Sequence, residues 1–474
     1  MYDIIVIGGG VIGGCVLREL SKHRLHICLL EKDDDVATGQ SRANSGIVHA
    51  GFDAAEGTLK ARFNVEGSKM MPDYCKELGV RYKNNGSLVL AFSKEDTKTL
   101  SLLKARGEKN GVEGLQILDQ KQLRTLEPNV SECALGALYA PTGGIVCPYG
   151  LTIAAVGNAM DNGAELKTNF FVTAVTRDKD GFTVTAEDGR EVKAKILINC
   201  AGLGSGKIAA LAGDDSVKIF PRKGEYILLD RESGDYVHHT VFTAPTKLGK
   251  GVLVSQTVDG NIIVGPTAEE KDGTETSASG LDLVTKKAKE MYPDLPFFNT
   301  ITSFAGVRAY SDKHDFIIEE SKKVKNLINV AGIESPGLTS APAIAKYVVQ
   351  DIVGKLLPLS RKEDFNGTRT SEHFFEEFSV EEKNELIKRE PAYGKIVCRC
   401  ERITEGEILH AIRANPPAKS VDAVKRRTRA GMGRCQGGFC QPHVAELIAG
   451  ELEIPFEEVT KSGKGSELVL GVTK

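Results

Sequence analysis

The sequence predicts an α/β protein of several domains that ends in a small helical domain. The chain has 474 residues, more than one ordinary hydrophobic core encloses. Near the N-terminus, a glycine-rich turn separates two apolar runs, which is typical of a nucleotide-binding α/β unit. Four of the ten cysteines cluster near the C-terminus, whereas the other six are scattered singly among mostly apolar neighbours.

The overall charge favours neither nucleic acid nor a membrane as a partner. The chain carries 61 basic and 64 acidic residues, which gives a net charge of −3. No apolar run is long enough to span a bilayer, and the first residues lack the features of a signal peptide. We therefore expect a cytoplasmic protein, held at a membrane at most through a partner, with reduced, catalytic or metal-bound cysteines.

The first motif predicts a Rossmann-like dinucleotide site. Residues 3–7 are typical of a buried parallel strand, and the turn that follows begins at Gly8 and leads into a helix. Gly8 permits the tight turn, Gly10 lets the backbone approach a pyrophosphate, and Gly13 lets the helix pack on the strand. The second apolar run ends at Glu31, which can accept hydrogen bonds from ribose hydroxyls and disfavours the 2′-phosphate of NADP. FAD and NAD both remain open at this point.

The second motif predicts a metal centre. Cys398-Arg-Cys400 is followed, after 34 residues, by Cys435-Gln-Gly-Gly-Phe-Cys440. Four thiolates are what a [2Fe–2S] cluster requires, and the glycines let the second loop curl around an iron. Structural zinc is the alternative, although zinc sites more often use C-x₂-C pairs.

The segment between the cysteine pairs has helical signals. Thr404 and Glu407 form a capping box, and Ser420 can cap a second helix that ends near Gly431. A third helix is expected to begin beside Cys440, where the helix dipole favours a thiolate.

The basic run Lys425-Arg-Arg-Thr-Arg429 lies in the second of these helices. Such a run can indicate nucleic-acid binding. We interpret it instead as a solvated helix face, or as charge compensation for an anionic cluster.

Together the two motifs favour FAD in the first site. An iron–sulfur cluster carries one electron at a time, whereas a nicotinamide exchanges a hydride. A flavin connects the two kinds of chemistry, because it accepts a hydride and releases electrons singly. We therefore expect the chain to oxidise a two-electron donor and to export electrons through the cysteine domain.

A resemblance to a known family supports this interpretation. The segment Ser41–Gly51, with the glycine turn before it, resembles the D-amino-acid-oxidase-like flavoprotein superfamily. The likeness covers about residues 1–355 and is closest to the soluble glycerol-3-phosphate oxidases of mycoplasma type, with L-2-hydroxyglutarate oxidases as near relatives. It continues in Asn199–Gly202, Pro221–Glu225, Gly249–Val252, Val264–Thr267, Phe304–Arg308 and Glu334–Thr339.

The C-terminal region has a resemblance of its own. Cys398–Glu401 and Thr428–Cys440 are similar to the C-terminal domain of the large subunit of anaerobic glycerol-3-phosphate dehydrogenases. That domain is the bacterioferritin-associated-ferredoxin-like [2Fe–2S] module.

These resemblances imply a layout. A Rossmann-like FAD domain is expected to be discontinuous, with an antiparallel-sheet substrate domain inserted into it, partly from strands around residues 223–230 and 252–265. The oxidoreductase is expected at residues 1–360, with its FAD domain at residues 1–85, 145–210 and 325–360. A linker is expected at residues 361–395, the small helical [2Fe–2S] domain at residues 396–450 and a tail at residues 451–474.

The resemblance also implies site residues. His49 matches the histidine that removes the substrate's hydroxyl proton, although it can instead hydrogen-bond flavin or backbone. Arg308 is expected to bind a phosphate or carboxylate with two parallel bonds, unless it forms a surface salt bridge. Ala309 stands where the oxidases tend to have proline, which we expect to loosen the substrate loop.

Two further residues are expected near the substrate. Lys250 matches a functional lysine but also suits an exposed turn, and Ser335 matches a serine near the flavin ring but also suits a helix cap. Gly337 and Leu338 are expected to offer N–H groups to the flavin's pyrimidine edge. The expected cofactor residues are Gly8, Gly10, Ile12, Gly13, Glu31, Lys32, Ser41, Asn44, Ser45, Gly46, Val172, Ala201, Gly202, Gly332, Gly337, Leu338 and Thr339.

The reaction implied is oxidation of a small anionic hydroxy compound, sn-glycerol 3-phosphate, to dihydroxyacetone phosphate. Electrons then pass through the cluster to an acceptor, which we expect to be a partner protein. L-2-hydroxyglutarate or another hydroxyacid is an alternative substrate. A non-catalytic flavin and iron–sulfur relay subunit is the alternative from another class.

Overall fold

The computed structural model describes residues 1–245, 251–369 and 375–471. Its strands are β1 (Tyr2–Ile7), β2 (Ile27–Leu30), β3 (Ile47–Val48), β4 (Tyr82–Lys83), β5 (Ser87–Ala91), β6 (Gln116–Asp119), β7 (Gly136–Ala140), β8 (Gly144–Val146), β9 (Glu165–Lys167), β10 (Val172–Arg177), β11 (Phe182–Ala186), β12 (Glu191–Asn199), β13 (Ile219–Leu229), β14 (Thr240–Thr243), β15 (Leu253–Gln256), β16 (Ile262–Gly265), β17 (Thr300–Ser311), β18 (Ile317–Glu320), β19 (Leu327–Ala331), β20 (Ile396–Cys398) and β21 (Ile403–Thr404).

The helices are α1 (Val11–Ser21), α2 (Leu59–Glu77), α3 (Lys94–Asn110), α4 (Gln120–Leu126), α5 (Pro148–Asp161), α6 (Ser205–Leu211), α7 (Ala278–Met291), α8 (Gly337–Tyr347), α9 (Gly354–Leu356), α10 (Val380–Arg389), α11 (Glu405–Arg413), α12 (Val421–Thr428) and α13 (Gln441–Leu452). A π-helical turn, Val348–Val353, joins α8 to α9. Among the residues that the structure describes, no helix has the length and apolar character needed to cross a bilayer.

The first sheet places four loops at one edge. Its central strands β2, β1, β12 and β19 run parallel, while β10, β11 and β18 pair antiparallel at the margins. Because the carboxyl ends of parallel strands meet at the same edge, the residues that follow them converge there. These residues are Gly8 after β1, Glu31 after β2, Cys200–Gly202 after β12 and Gly332 after β19. The Rossmann-like prediction is confirmed.

A second sheet of eight strands has the order β17-β13-β16-β15-β14-β5-β7-β6. Its pairings are antiparallel except that β14 runs parallel to β5. The expected antiparallel sheet is therefore mixed, because its strands come from two separate chain segments that meet at this pair. β13 and β17 form its longest ladder, in which Arg222 lies opposite Arg308.

The C-terminal domain has a core of its own. Fully buried Ile408, Val424, Ala445 and Ile448 come from its helices, and Val459 from the tail completes the core. The tail, which had no predicted packing, is bound to α12 because Val421 N donates to Thr460 O.

The predicted helix signals in this domain are partly confirmed. The Thr404 and Glu407 capping box opens α11. Ser420 is at the N-cap of α12 but makes no capping bond, because its hydroxyl donates to Asp34 Oδ2 at 2.7 Å. α12 ends at Thr428, earlier than expected, since Arg429 takes a left-handed conformation with φ +71°.

The segment expected as a linker is fastened to the first domain. Lys362 N donates to Lys22 O at 2.8 Å, and Arg369 N donates to Glu77 O at 2.9 Å. α10 follows, with a capping box of its own that Ser379 begins. The domain boundaries themselves stay a prediction.

Candidate active site

A cavity of about 450 Å³ opens at the carboxyl edge of the first sheet. The second sheet forms its far wall, through residues such as Tyr226, Phe242, Leu253 and Arg308. The cavity therefore lies between the two sheets, which is a common position for a ligand-binding site.

The glycine turn has the shape that a dinucleotide requires. A Cβ on Gly8, whose φ is +110°, would lie 2.4 Å from Cys200 O, and one on Gly13 would lie 2.0 Å from Gly8 O. Both glycines therefore serve close packing of the turn. A Cβ on Gly10 would meet only Ser41 Oγ, at 3.2 Å, so this position leaves a cradle open to the cavity.

Glu31 is held by the same turn. Its Oε2 accepts from Gly9 N at 2.6 Å and its Oε1 accepts from Asp33 N at 3.0 Å. Burial raises the pKa of this carboxyl, and the two backbone N–H groups oppose the rise. Each oxygen keeps a lone pair for a ribose hydroxyl.

The predicted cofactor residues fall into two groups. Gly13, Gly46, Gly332 and Thr339 do not line the cavity, and we assign them to positioning its walls. Those that line it are Gly8, Gly10, Ile12, Glu31, Lys32, Ser41, Asn44, Ser45, Val172, Ala201, Gly202, Gly337 and Leu338. Binding of cofactor by these residues stays a prediction.

His49 lies in the wall of the cavity just after β3. Its backbone N donates to Thr339 Oγ1 at 2.9 Å, and its backbone O accepts from Asn64 Nδ2 at 2.5 Å. The imidazole stacks on Phe242 with ring centroids 5.9 Å apart. Its Nε2 lies 3.4 Å from Ser335 Oγ. Helices α2 and α8 therefore fix the histidine, and its ring reaches the cavity.

Ser335 does not cap the following helix. α8 has Pro336 as its N-cap and no side-chain capping bond. The serine hydroxyl points instead to His49, and both side chains line the cavity. The structure therefore excludes the capping role, and the role of Ser335 beside the flavin and substrate stays a prediction.

Arg308 extends from β17 into the cavity. Its Nη2 donates to Thr267 O at 3.1 Å, while its Nε is buried without a hydrogen-bond partner. A Cβ on Gly224, on the neighbouring strand, would lie 2.6 Å from Pro266 Cβ and 3.0 Å from Thr267 O, so the glycine makes room for the segment whose carbonyl accepts from Arg308. A buried donor without a hydrogen-bond partner is energetically costly.

The expectation that Ala309 loosens a substrate loop is wrong. Ala309 lies inside β17 opposite Pro221 and is 1% exposed. Its N–H donates to Gln40 Oε1 at 3.1 Å. A proline has no N–H to donate, so the alanine adds a bond between the second sheet and the 40–46 segment.

Gln40, Tyr226 and Phe242 are among the residues of the cavity wall that sequence reasoning missed. Tyr226 directly follows the Pro221–Glu225 motif, which was a usable signal. Phe242 lies on a strand without any motif. Lys250, one of the expected substrate residues, lies outside the described residues.

The four clustered cysteines come together as expected. Cys398 and Cys400 have sulfurs 3.7 Å apart, and Cys400 and Cys435 have sulfurs 3.8 Å apart. A hydrogen bond to Cys398 lowers the pKa of the Cys440 thiol, which lies at the N-cap of α13. Burial raises the pKa of Cys400 to about 12, and Cys398 adds to the effect.

The four cysteines form one group of potential metal ligands. Cys400 lies next to Cys398 and Cys435, and Cys398 lies next to Cys440. Sulfurs 3.7 and 3.8 Å apart suit thiolates that share a metal, so the geometry agrees with both a [2Fe–2S] cluster and structural zinc. All ten cysteines are unpaired in the described structure.

Comparison with known proteins identifies the family. The model of FAD dependent oxidoreductases matches residues 3–350, and that of the BFD-like [2Fe-2S] binding domain matches residues 396–450. The chain belongs to the FAD-dependent oxidoreductases. Its cofactors are FAD and, in the C-terminal domain, a [2Fe–2S] cluster.

Individual relatives are similar over most of the chain. The glycerol 3-phosphate dehydrogenase of Caloramator mitchellensis is 46% identical, covering 100% of this chain and 99% of its own length. The glycerol 3-phosphate oxidase of Mycoplasma genitalium is 36% identical, covering 77% of this chain and 96% of its own length. The structure of L-alpha-glycerophosphate oxidase from Mycoplasma pneumoniae with FAD bound is 32% identical, with a TM-score of 0.74 over 78% of this chain and 98% of its own.

The basic run of α12 attaches the iron–sulfur domain to the flavoprotein. Asp35 Oδ2 accepts from Arg426 Nη2 at 2.7 Å and from Arg427 Nη1 at 2.8 Å. Arg429 Nη1 donates to Asp259 Oδ2 at 2.6 Å. The expectation of a solvated helix face is therefore wrong, because the charges are used at the domain interface.

The Asp35→Asn variant is expected to destabilise the protein by about 3 kcal/mol or more at pH 7, because two buried arginines lose their counter-charge. Burial opposes ionisation of Asp35, but Arg427 and Arg426 outweigh it and hold its pKa at about 2. This folded-state pKa lies below the unfolded value of about 4. The stabilisation is therefore complete above about pH 4 and is lost as pH falls toward 2.

Calorimetric unfolding over a pH series measures this effect. The difference between wild type and Asp35→Asn should shrink between about pH 4 and pH 2. Asp73→Asn, on an exposed position of α2, serves as the matched control. A constant difference over that range would exclude the ion pair as its cause.

Proposed function

We propose that this chain oxidises sn-glycerol 3-phosphate to dihydroxyacetone phosphate and passes the electrons through its [2Fe–2S] cluster to a partner protein. The observation that carries the substrate assignment is the unpartnered, buried Nε of Arg308 in the wall of the cavity. An anionic group on the substrate supplies the missing acceptor. The similarity to a glycerol 3-phosphate dehydrogenase over the whole chain supports the choice of substrate.

The chemistry assigned to the chain's own residues is positioning and proton transfer. Arg308 holds the phosphate, and His49 accepts the proton of the C2 hydroxyl at Nε2. Ser335, 3.4 Å from that nitrogen, orients the imidazole toward the substrate. Bound FAD supplies the acceptor for the hydride from C2.

The C-terminal domain favours a dehydrogenase with a protein acceptor over an oxidase. Direct reaction with oxygen needs no cluster, and the mycoplasma oxidase covers only 77% of this chain. We propose a cytoplasmic location as well, which ten unpaired cysteines support.

Anaerobic titration tests the substrate assignment. We expect glycerol 3-phosphate to bleach the flavin absorbance and then that of the cluster, and L-2-hydroxyglutarate to leave both unchanged. Bleaching by L-2-hydroxyglutarate alone would replace the proposed substrate. Iron, sulfide and zinc analysis of the same sample tests the cluster.

The Arg308→Lys variant is expected to raise KM for glycerol 3-phosphate about 10- to 100-fold, because an ammonium cannot make two parallel bonds to a phosphate. Steady-state kinetics with an artificial electron acceptor gives kcat and KM separately. Arg222→Lys is the matched control, since Arg222 lies opposite Arg308 in the ladder and does not line the cavity. An equal effect of both substitutions would point to a general change in the sheet.

A further inference from the structure

A second cavity, of about 560 Å³, lies between the flavoprotein and the iron–sulfur domain. It adjoins the first cavity at Asn44 and Ser45, which line both. Its other side is lined by residues of α12 and by Met432 and Gln436. These two residues lie on either side of Cys435 in the sequence. The proposed reaction assigns nothing to this space.

Several of the charges in its wall are already neutralised. Arg429 bonds Asp259 at 2.6 Å and Glu401 at 2.9 Å. Asp422 is paired with Lys461 at 2.9 Å. Glu275 also lines the cavity, but it is exposed to solvent.

Three cations remain without full compensation. Arg426 shares Asp35 with Arg427, and its Nε is buried without a hydrogen-bond partner although the residue is only 5% exposed. Arg42 and Lys425 line the same cavity, and neither has an ion pair within the described residues. Desolvation by burial lowers the pKa of Lys425, and the nearby positive charges lower it further, although Asp422 opposes them.

We infer that this cavity binds a phosphate-bearing anion, which Arg42 of the flavoprotein and Lys425 and Arg426 of the iron–sulfur domain hold between them. The buried Nε of Arg426 has no other acceptor, and a phosphate dianion matches the two cations that lack an ion pair. Because the ligand is shared by both domains, its binding stabilises their docked arrangement. The site is separate from the substrate site at Arg308.

Calorimetric titration of the FAD- and cluster-loaded protein tests the inference. Inorganic phosphate is added at constant ionic strength in a chloride buffer, to wild type and to Arg308→Gln, which removes the substrate's anion site. We expect a phosphate-binding event in both proteins. Arg42→Gln and Lys425→Gln should each weaken it about 10- to 100-fold. Lys419→Gln, an exposed position on the same domain, should not change it.

A second ligand and a charge-conserving variant serve as controls for this titration. Glycerol 2-phosphate, titrated in the same way, distinguishes a phosphomonoester site from one for inorganic phosphate, according to which binds more tightly. Lys425→Arg should retain binding, which shows that a loss in Lys425→Gln reflects charge and not misfolding. Absence of any event in Arg308→Gln, or an event that neither glutamine variant weakens, would overturn the inference. The readout needs no turnover, so it is independent of whether glycerol 3-phosphate is the substrate.

Discussion

Alanine in place of His49 is expected to slow reduction of the flavin by glycerol 3-phosphate about 10²- to 10⁴-fold, the usual contribution of a positioned general base. FAD should stay bound, because the histidine's backbone bonds to Thr339 and Asn64 do not involve its side chain. The loss should appear in the rate constant of flavin bleaching, with little change in the substrate concentration that half-saturates it. Such a split is typical of an interaction made in the transition state.

Anaerobic stopped-flow absorbance measures this rate constant directly. His26→Ala is the matched control, since His26 is exposed, pairs with Glu165 and does not line the cavity. A His49→Ala protein that bleaches at the wild-type rate would leave the histidine a structural role. A wild type that no hydroxy substrate bleaches would favour the relay subunit.

Removal of a cluster ligand should leave flavin reduction by the substrate intact but prevent electron delivery to the acceptor. We expect Cys435→Ala to lose iron and sulfide, while glycerol 3-phosphate still bleaches the flavin at a rate within a few-fold of wild type. The reason is that the cysteines lie in a domain with its own core, whereas His49 and Arg308 lie in the wall of the other cavity. Electron delivery to a protein acceptor should fall by at least about 100-fold, because its route includes the cluster.

Electron paramagnetic resonance after anaerobic substrate addition shows whether a cluster is reduced. Wild type should give the signal of a reduced [2Fe–2S] cluster, and Cys435→Ala should give none. Cys133→Ser, an exposed cysteine outside the group of four, should behave as wild type. A Cys435→Ala protein that keeps both iron and the signal would remove this cysteine from the ligand set.

The sequence was most informative where a property depends on neighbouring residues. The steric need for Gly8, Gly10 and Gly13 follows from a single short turn, and the close approaches in the structure have the expected cause. The capping box from Thr404 to Glu407 is equally local, since it depends on two side chains three residues apart. Fold class and cofactors could be predicted because they depend on such signals and on the family resemblance.

Long-range pairing could not be predicted. Asp35 and Arg426 are 391 residues apart in the chain, and no local pattern indicates that one neutralises the other. The same limit applied to Ala309, whose N–H meets Gln40 from a distant segment. A basic run and an alanine have many possible surroundings, and only the packed structure selects one.

The charged attachment of α12 has a consequence for how such proteins diversify. The iron–sulfur domain is bound through Asp35 and Asp259 and folds around its own apolar residues. Carboxylates left uncovered remain soluble, whereas an apolar docking face would aggregate when exposed. We therefore expect the flavoprotein to fold without this domain, which would allow the same catalytic domain to be joined to different electron-transfer domains.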